Sequence, residues 1–335
     1  MPRTEHPVVV VGAGISGIAC ARVLHDGGVA VRVIDRGHRI GGRMAVRTEQ
    51  LPGGPHPVDI GASYFTARDE RFAAVAQGWR EAGLAREWTD TFHVLRPRAG
   101  KDTTTGLSRW AAPGGLRSLV EDLAQGLDVT TGRDVEEVTV GAGPDPDLAV
   151  DGEPAAAVVL AMPEPQAQDL LPEPVAGELR LSERMDWTPA ISVWAAWGTR
   201  WWPELDGAFV EDSQVLSWVA DDGRRRGDGA PVLVAHTTAA FADDRLDDPG
   251  SAAEPVLAEL GKLFGRRPPE PELLRAHRWS LASPGSPREE PFGLHPALVG
   301  LCGDGWGAKP RVEQAWTSGT GLGEELLRRL GPGAP

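Results

Sequence analysis

The chain has 335 residues, 41% hydrophobic and 24% charged, with 34 Lys+Arg against 48 Asp+Glu for a net charge of −14. That length predicts one large or two medium domains with a sizeable core. Such acidity argues against nucleic acid or an anionic membrane as partner, and no run of apolar residues is long enough for a transmembrane helix. The polar start, Met1 to Pro7, followed at once by strand-like residues, reads as no signal peptide. Two cysteines, Cys20 and Cys302, argue against a disulfide scaffold or an all-cysteine zinc site and point to a cytoplasmic setting. No metal-ligand cluster at helical spacing and no internal repeat is visible.

Residues 8–11 are four valines, a pattern for a strand buried on both faces. Gly12-Ala13-Gly14-Ile15-Ser16-Gly17 follows and opens a helix-like stretch to about Asp26. A second strand-like run, 29–34, ends at Asp35. This is a βαβ unit with a GxGxxG turn. Gly12 permits the tight turn, Gly14 lets backbone approach a pyrophosphate, and Gly17 lets helix and strand pack closely. Gly14, Ile15 and Ser16 head the helix, whose free N–H groups and positive dipole end suit phosphate. Asp35 stands where an acid binds ribose hydroxyls. To this point NAD and FAD are both open.

The next residues, Asp35-Arg36-Gly37-His38-Arg39-Ile40-Gly41-Gly42-Arg43-Met44, resemble the GGR extension of the FAD-dependent amine oxidase and glutathione-reductase-type superfamily. The resemblance implies that Gly42, Arg43 and Met44 lie on the pyrophosphate, with Arg36, Arg39 and Arg43 neutralising its charge. The chain departs from the pattern at Asp35, where glutamate is commoner, and at Gly37, where arginine is frequent. Near the far end, residues 297–304 read as a strand ending in Gly303-Asp304, and a helix-like run follows Arg311-Val312. The resemblance places Asp304 at the ribityl and pyrophosphate region, and Arg311 and Val312 at a helix N-terminus aimed at flavin N1 and C2=O, where reduced flavin is anionic. Gly319, Gly321 and Gly323 would weaken that helix in isolation, and close backbone approach would explain them. It also implies that backbone at Val135 pairs with adenine and that 156–163 forms a strand returning under the flavin. Cys302 precedes Gly303-Asp304 and is not at a known tether position, so FAD is expected to be noncovalent.

The implied fold class is α/β. A Rossmann-like FAD-binding domain takes residues 1–65, 108–163 and 292–335. A discontinuous α+β substrate cap with an antiparallel sheet takes 66–107 and 164–291. Within the cap, strands are expected at 190–197, 208–219 and 231–238 and a helix at 252–264. The segments Gly141–Glu153 and Asp221–Gly229, rich in Gly, Asp, Pro or Arg, read as turns or mobile loops.

Within the superfamily, the stretch from Val58 to Phe72, including Gly61-Ala62-Ser63-Tyr64-Phe65, resembles renalase-like proteins. So do Leu216-Ser217-Trp218, Val234-Ala235-His236 and His277-Arg278-Trp279. Gly61 and Ala62 are implied to touch FAD. The resemblance implies oxidation of dihydronicotinamide isomers of NAD(P)H, with hydride passing to flavin N5 and O2 giving H2O2. The chain has one tyrosine and twelve tryptophans. One tyrosine cannot make the pair that frames the amine in monoamine-type oxidases, and no lysine of the three (Lys101, Lys262, Lys309) is well placed to hold a water at N5. His236 is a candidate pocket base or hydrogen-bond donor, Trp218 and Trp279 could stack on a flat ring, and Arg278 could meet a phosphate. Trp194, Trp197, Trp201 and Trp202 read as packing residues. Two alternatives stay open: an amine oxidase or desaturase acting on a small metabolite, and a flavin-binding redox sensor without turnover.

Overall fold

A computed structural model describes residues 6–97, 101–142, 147–181 and 186–330. In chain order the elements are β1 (Val8–Val11), α1 (Ile15–Asp26), β2 (Val31–Asp35), β3 (Val46–Leu51), β4 (Gly54–Asp59), α2 (Glu70–Glu81), β5 (Arg86–Leu95), β6 (Lys101–Ala111), α3 (Arg117–Leu123), β7 (Asp128–Thr131), β8 (Val138–Val140), β9 (Leu148–Val150), β10 (Glu153–Ala155) and β11 (Ala157–Leu160). There follow α4 (Glu164–Leu170), α5 (Glu173–Glu178), β12 (Trp187–Ala196), β13 (Gly207–Val210), β14 (Leu216–Asp221), α6 (Asp222–Arg226), β15 (Val232–Thr237), α7 (Ala239–Asp243), α8 (Ala253–Phe264), β16 (Leu273–Pro284), β17 (Gly293–Leu294), β18 (Val299–Leu301) and α9 (Val312–Leu330). Among the described residues, no helix is long and apolar enough to cross a membrane.

The chain divides into two compact units. One comprises Met1–Arg43, Val120–Trp187 and Ser283–Pro335, the other Met44–Leu119 and Thr188–Ala282. The first unit holds a six-stranded sheet, ordered β17-β18-β11-β1-β2-β7. Its strands are parallel except β17, which runs antiparallel to β18. Every residue of β1 and β11 is buried, as expected of parallel strands covered on both faces. Helices α1 and α9 pack together at backbone distance. A methyl on Gly319 would lie 2.7 Å from the Ser16 carbonyl carbon, and one on Gly323 would lie 2.9 Å from the Cys20 oxygen. That approach accounts for two of the three glycines in α9.

The second unit holds a seven-stranded sheet, ordered β16-β12-β15-β14-β13-β5-β6. It is antiparallel where its register is defined, apart from the parallel β5–β13 pair. The single strand expected at 208–219 is two, because the chain turns between β13 and β14. Asp212 has φ 57°, and Ser213 Oγ accepts the N–H groups of Val215 and Leu216. Side-chain alternation gives the sheet two unlike faces. Ile191, Val193, Ala195, Leu233 and Ala235 pack with α8 residues Val256, Leu257 and Leu260. Trp197, Trp201 and Trp202 join them, edge to face at 5.4–6.1 Å. Trp194 faces the other way with Ala196, Val232 and Val234, against Val58 and Ile60 of the β3–β4 ribbon. The expected four-tryptophan group is therefore three plus one, split by the period of two.

Residues 221–229 are not a loose loop. Asp222–Arg226 form α6, capped by the Asp221 carboxylate on the Arg224 N–H, with Asp222, Arg225 and Arg226 buried, and a turn follows from Gly227. Residues 143–146 of the segment 141–153, and the Lys101 side chain, lie outside the described residues.

Candidate functional site

The glycine turn sits at the carboxyl ends of β1 and β2, where open α/β sheets bind their ligands. Its three glycines have different reasons. Gly12 has φ 110°, and a methyl there would lie 2.5 Å from the Ala161 oxygen. A methyl on Gly17 would lie 2.9 Å from the Ala161 side chain and closer still to the Gly12 oxygen. The fold itself forbids side chains at these two positions. Gly14 has ordinary backbone angles (φ −74°, ψ 173°), and a methyl there would meet nothing among the described residues within 4 Å. It caps α1 without any side-chain hydrogen bond, and the first turn of α1 carries no acid. The helix therefore presents its N-terminal dipole to open space at Gly14, a cradle suited to a phosphate.

Asp35 ends β2 and braces this turn. Its Oδ2 accepts the Ala13 N–H and its Oδ1 the Gly37 N–H, both at 2.6 Å. Gly41 N–H donates to Ala13 O at 2.8 Å, and a methyl on Gly42 would lie 3.3 Å from Gly14 Cα, so the GGR turn is laid along the glycine loop. Arg36 and Arg39 are exposed beside it. Val135 is buried in the loop after β7, while Arg311 and Val312 stand at the head of α9.

The structure joins Arg43 and Asp304, 261 positions apart, in a two-pronged ion pair at 3.0 and 2.6 Å. The Arg43 guanidinium also lies 5.1 Å over the Trp187 ring, and Trp187 Nε1 donates to Glu164 Oε2 at 3.2 Å. Burial raises the Glu164 pKa, against the pull of Arg288, and Arg288 lies over Trp306. Glu164, Trp187 and Arg288 escaped the sequence reading. The available signal was the position of Glu164, four residues beyond the end of β11.

Met44, Gly61 and Ala62 belong to the second unit. Met44 is buried, and Gly61 and Ala62 follow β4. There, His236 of β15 and Trp218 of β14 are cross-strand partners. Trp218 packs against Phe92 at 4.8 Å and Tyr64 at 5.7 Å. Burial, helped by the nearby Arg225 charge, pushes the His236 pKa down to about 4. Trp279 donates to Ile60 O at 3.0 Å. Arg278 is not brought to Trp279: the two alternate across β16, and Arg278 is exposed and donates to Leu246 O.

Behind His236 lies a buried charge network. Arg225 pairs with Asp222 and donates to Ser63 O at 3.1 Å, while Arg226 reaches Asp59 at 3.3 Å and Pro113 O at 2.7 Å. His56 Nε2 lies 3.1 Å from Asp222, and the Leu116 N–H donates to Asp59 at 2.7 Å. Burial works to raise the Asp222 pKa, but Arg225, His56 and Arg226 hold it down at about 2. Burial raises Asp59 against the same arginines. The signal in the sequence was Asp222 three and four residues before Arg225 and Arg226, which places them on one helical face.

Cys20 and Cys302 are free and fully buried. Burial pushes the Cys302 thiol up to about 12, which keeps it un-ionised and unreactive.

The sequence profile of flavin containing amine oxidoreductases matches residues 97–289, and that of the NAD(P)-binding Rossmann-like domain matches residues 10–79. The flavin-containing amine oxidase B of Sus scrofa is 42% identical over 78 residues, 23% of this chain and 14% of that enzyme. The hydroxyneurosporene desaturase of Rubrivivax gelatinosus is 42% identical over 76 residues, 22% of this chain and 14% of that protein. These matches thus take in about one seventh of the curated relatives' length. Among solved structures, the cyclohexylamine oxidase of Brevibacterium oxydans IH-35A shares the fold with TM-score 0.74 at 16% identity, covering 96% of this chain and all of that one. Putrescine oxidase bound to putrescine aligns with TM-score 0.68 at 16% identity, covering 97% of this chain and 99% of that one. The open cradle at Gly14, the braced turn and the paired Arg43 and Asp304 fit the FAD that these matches imply. The chain belongs to the flavin containing amine oxidoreductase family of FAD-dependent oxidoreductases.

Proposed function

We propose that the protein is a renalase-like oxidase, taking hydride from a dihydronicotinamide isomer of NAD(P)H or a similar small molecule, with O2 as electron acceptor and H2O2 as product. FAD, when bound, supplies the hydride acceptor at N5. The chain's residues bind and orient. The N-terminus of α1 takes the pyrophosphate at Gly14, Ile15 and Ser16. Asp35 fixes the turn and reaches the ribose. Arg43 and Asp304 hold the far phosphate and ribityl side. Arg36, Arg39, Gly42, Met44, Gly61, Ala62, Val135, Arg311 and Val312 complete the set. His236, Trp218 and Trp279 contact substrate.

The observation that carries the substrate half is the fate of Tyr64. The chain's one tyrosine packs against Phe92 and Trp218, so no tyrosine pair exists to frame an amine. Lys262 is bound to Glu259, and Lys309 is exposed. Oxidising a dihydronicotinamide leaves a stable pyridinium and asks for no base, which suits a histidine held neutral. The two buried thiols fit a reducing cytoplasm.

The second reading, an amine oxidase or desaturase, draws support from the names of the curated relatives. An anaerobic titration of the yellow protein separates them. The 2- and 6-dihydro isomers of NADH should bleach the oxidised flavin band rapidly, and amines should not. Bleaching by amines alone would overturn the first reading. Silence with every substrate would leave a flavin-binding sensor. Independently, Gly14→Val should abolish FAD binding without loss of fold, because the added atoms fill only the cradle. Full FAD occupancy in that variant would remove the phosphate assignment.

A further inference from the structure

We infer that Ser192, His236 and Trp218 form a recognition row for an uncharged carbonyl or carboxamide group of the ligand, an inference that rests on the oxidase reading above for its placement at the substrate. Strands β12, β15 and β14 are adjacent, and their register pairs Ser192 with His236 and His236 with Trp218. Directly opposed residues share a face, so three polar side chains stand side by side. Each carries a buried polar atom without a hydrogen-bond partner among the described residues: Ser192 Oγ, His236 Nε2 and Trp218 Nε1. Ser192 is fully buried, and Trp218 is 6% exposed. Ser63 Oγ, beside the Tyr64 that packs on Trp218, is a fourth such atom. Buried polar atoms are nearly always partnered, because leaving them bare is costly. Three in one cross-strand row point to a partner from outside the chain.

The chemistry of the row selects that partner. An indole N–H only donates, so Trp218 asks for an acceptor. Serine and neutral imidazole can donate or accept. The buried carboxylates of this unit that could have greeted an ammonium are already engaged. Asp59 takes Arg226 and the Leu116 N–H, and Asp222 takes Arg225 and His56. Burial and, after it, the Arg225 charge keep His236 neutral, and the same charge opposes a further cation. An uncharged carboxamide satisfies all of these constraints; an alkylammonium can donate to Ser192 and His236, but it accepts nothing from Trp218 and finds Asp59 and Asp222 already paired.

Equilibrium dialysis of the FAD-loaded protein tests this with nicotinamide and acetamide as probes and benzylamine as the cationic control. The carboxamides should bind saturably and in preference to benzylamine. Ser192→Ala and Trp218→Phe should each weaken binding about tenfold, the loss of one hydrogen bond. Ser192→Ala removes an unpartnered hydroxyl, so it should keep its FAD content and a Tm no lower than the parent's. This variant decides the matter if Trp218→Phe folds poorly. Absence of saturable carboxamide binding, binding that Ser192→Ala leaves unchanged, or preference for benzylamine would overturn the inference; the first two results would mean that water satisfies the row. Tight carboxamide binding without bleaching by dihydronicotinamides would remove the oxidase reading alone.

Discussion

Gly319→Ala should destabilise the protein by about 2 kcal/mol and weaken FAD binding. The added methyl would lie 2.7 Å from the Ser16 carbonyl carbon and nearer still to its oxygen. Neither side can turn aside, because the obstacle is helix backbone. Overpacking costs about 1–3 kcal/mol where side chains can adjust, so this contact belongs at the upper end. Alanine returns about 1 kcal/mol through helix propensity, which leaves the net figure. Gly321→Ala, two residues along the same helix, is the control. Its methyl meets only the edge of the Phe292 ring at 3.3 Å, a group that can shift. That variant should be neutral or stabilising by up to about 1 kcal/mol. Ser16 lies in the first turn of α1, so a displaced α9 also moves the N–H groups expected to hold the pyrophosphate. Urea denaturation with and without FAD, and FAD titration by flavin fluorescence, read both effects. Equal stability of the two alanine variants would refute the backbone contact between α1 and α9.

Arg225→Met should cost about 3–5 kcal/mol, because it takes the closest cation from the buried Asp222 carboxylate, while Asp59 keeps Arg226. Arg225→Lys should rescue it poorly, since one ammonium cannot replace the fork that reaches both Asp222 and Ser63 O. A loss below 1 kcal/mol in chemical denaturation, about the size expected of an exposed ion pair, would count against the network. Stability should also fall as pH drops from 6.5 toward 4. Across that window the unfolded chain takes up a proton at His236 that the folded chain, with its pKa near 4, refuses. The loss reaches about 3 kcal/mol near pH 4 and vanishes about one pH unit above 6.5, and His236→Gln should remove most of it. Finally, a thiol reagent should leave native Cys20 and Cys302 unmodified at pH 8 and label both in denaturant. Labelling of the native protein would show that one of the two is accessible.

The legible parts of this chain are those whose physics is local. A valine run, a glycine turn and an acid at the right distance place β1, α1, β2 and Asp35 without reference to anything farther along. What the sequence hides is pairing across distance. Arg43 and Asp304 each read singly as a phosphate or ribityl contact, yet their mutual ion pair depends on β18 lying beside β11 and β11 beside β1. Residues 221–229 read as a turn or loop because the segment is rich in Gly, Asp and Arg. Arg225 and Arg226 are buried here because Asp59, from an element more than 160 positions away, returns to meet them. Register is a second hidden quantity. Trp194 left the tryptophan group, and Ser192 joined His236 and Trp218, through the alternation of β12 and its pairing with β15.

The three glycines of the first turn carry the argument one step further, since the sequence writes them with the same letter. A side chain at Gly12 or Gly17 collides with the protein itself, so those positions would be glycine in this fold whatever it bound. A methyl at Gly14 meets none of the described residues within 4 Å and strains no backbone angle. Its identity needs a cause outside the polypeptide, and a pyrophosphate on the N–H groups of α1 supplies one. The unpartnered atoms of Ser192, His236 and Trp218 are likewise left unexplained by the described residues and call for a partner from outside them. The two assignments rest on different residues and different measurements. Failure of Gly14→Val to lose FAD would leave the recognition row standing, and failure of the carboxamide probes would leave the phosphate cradle intact.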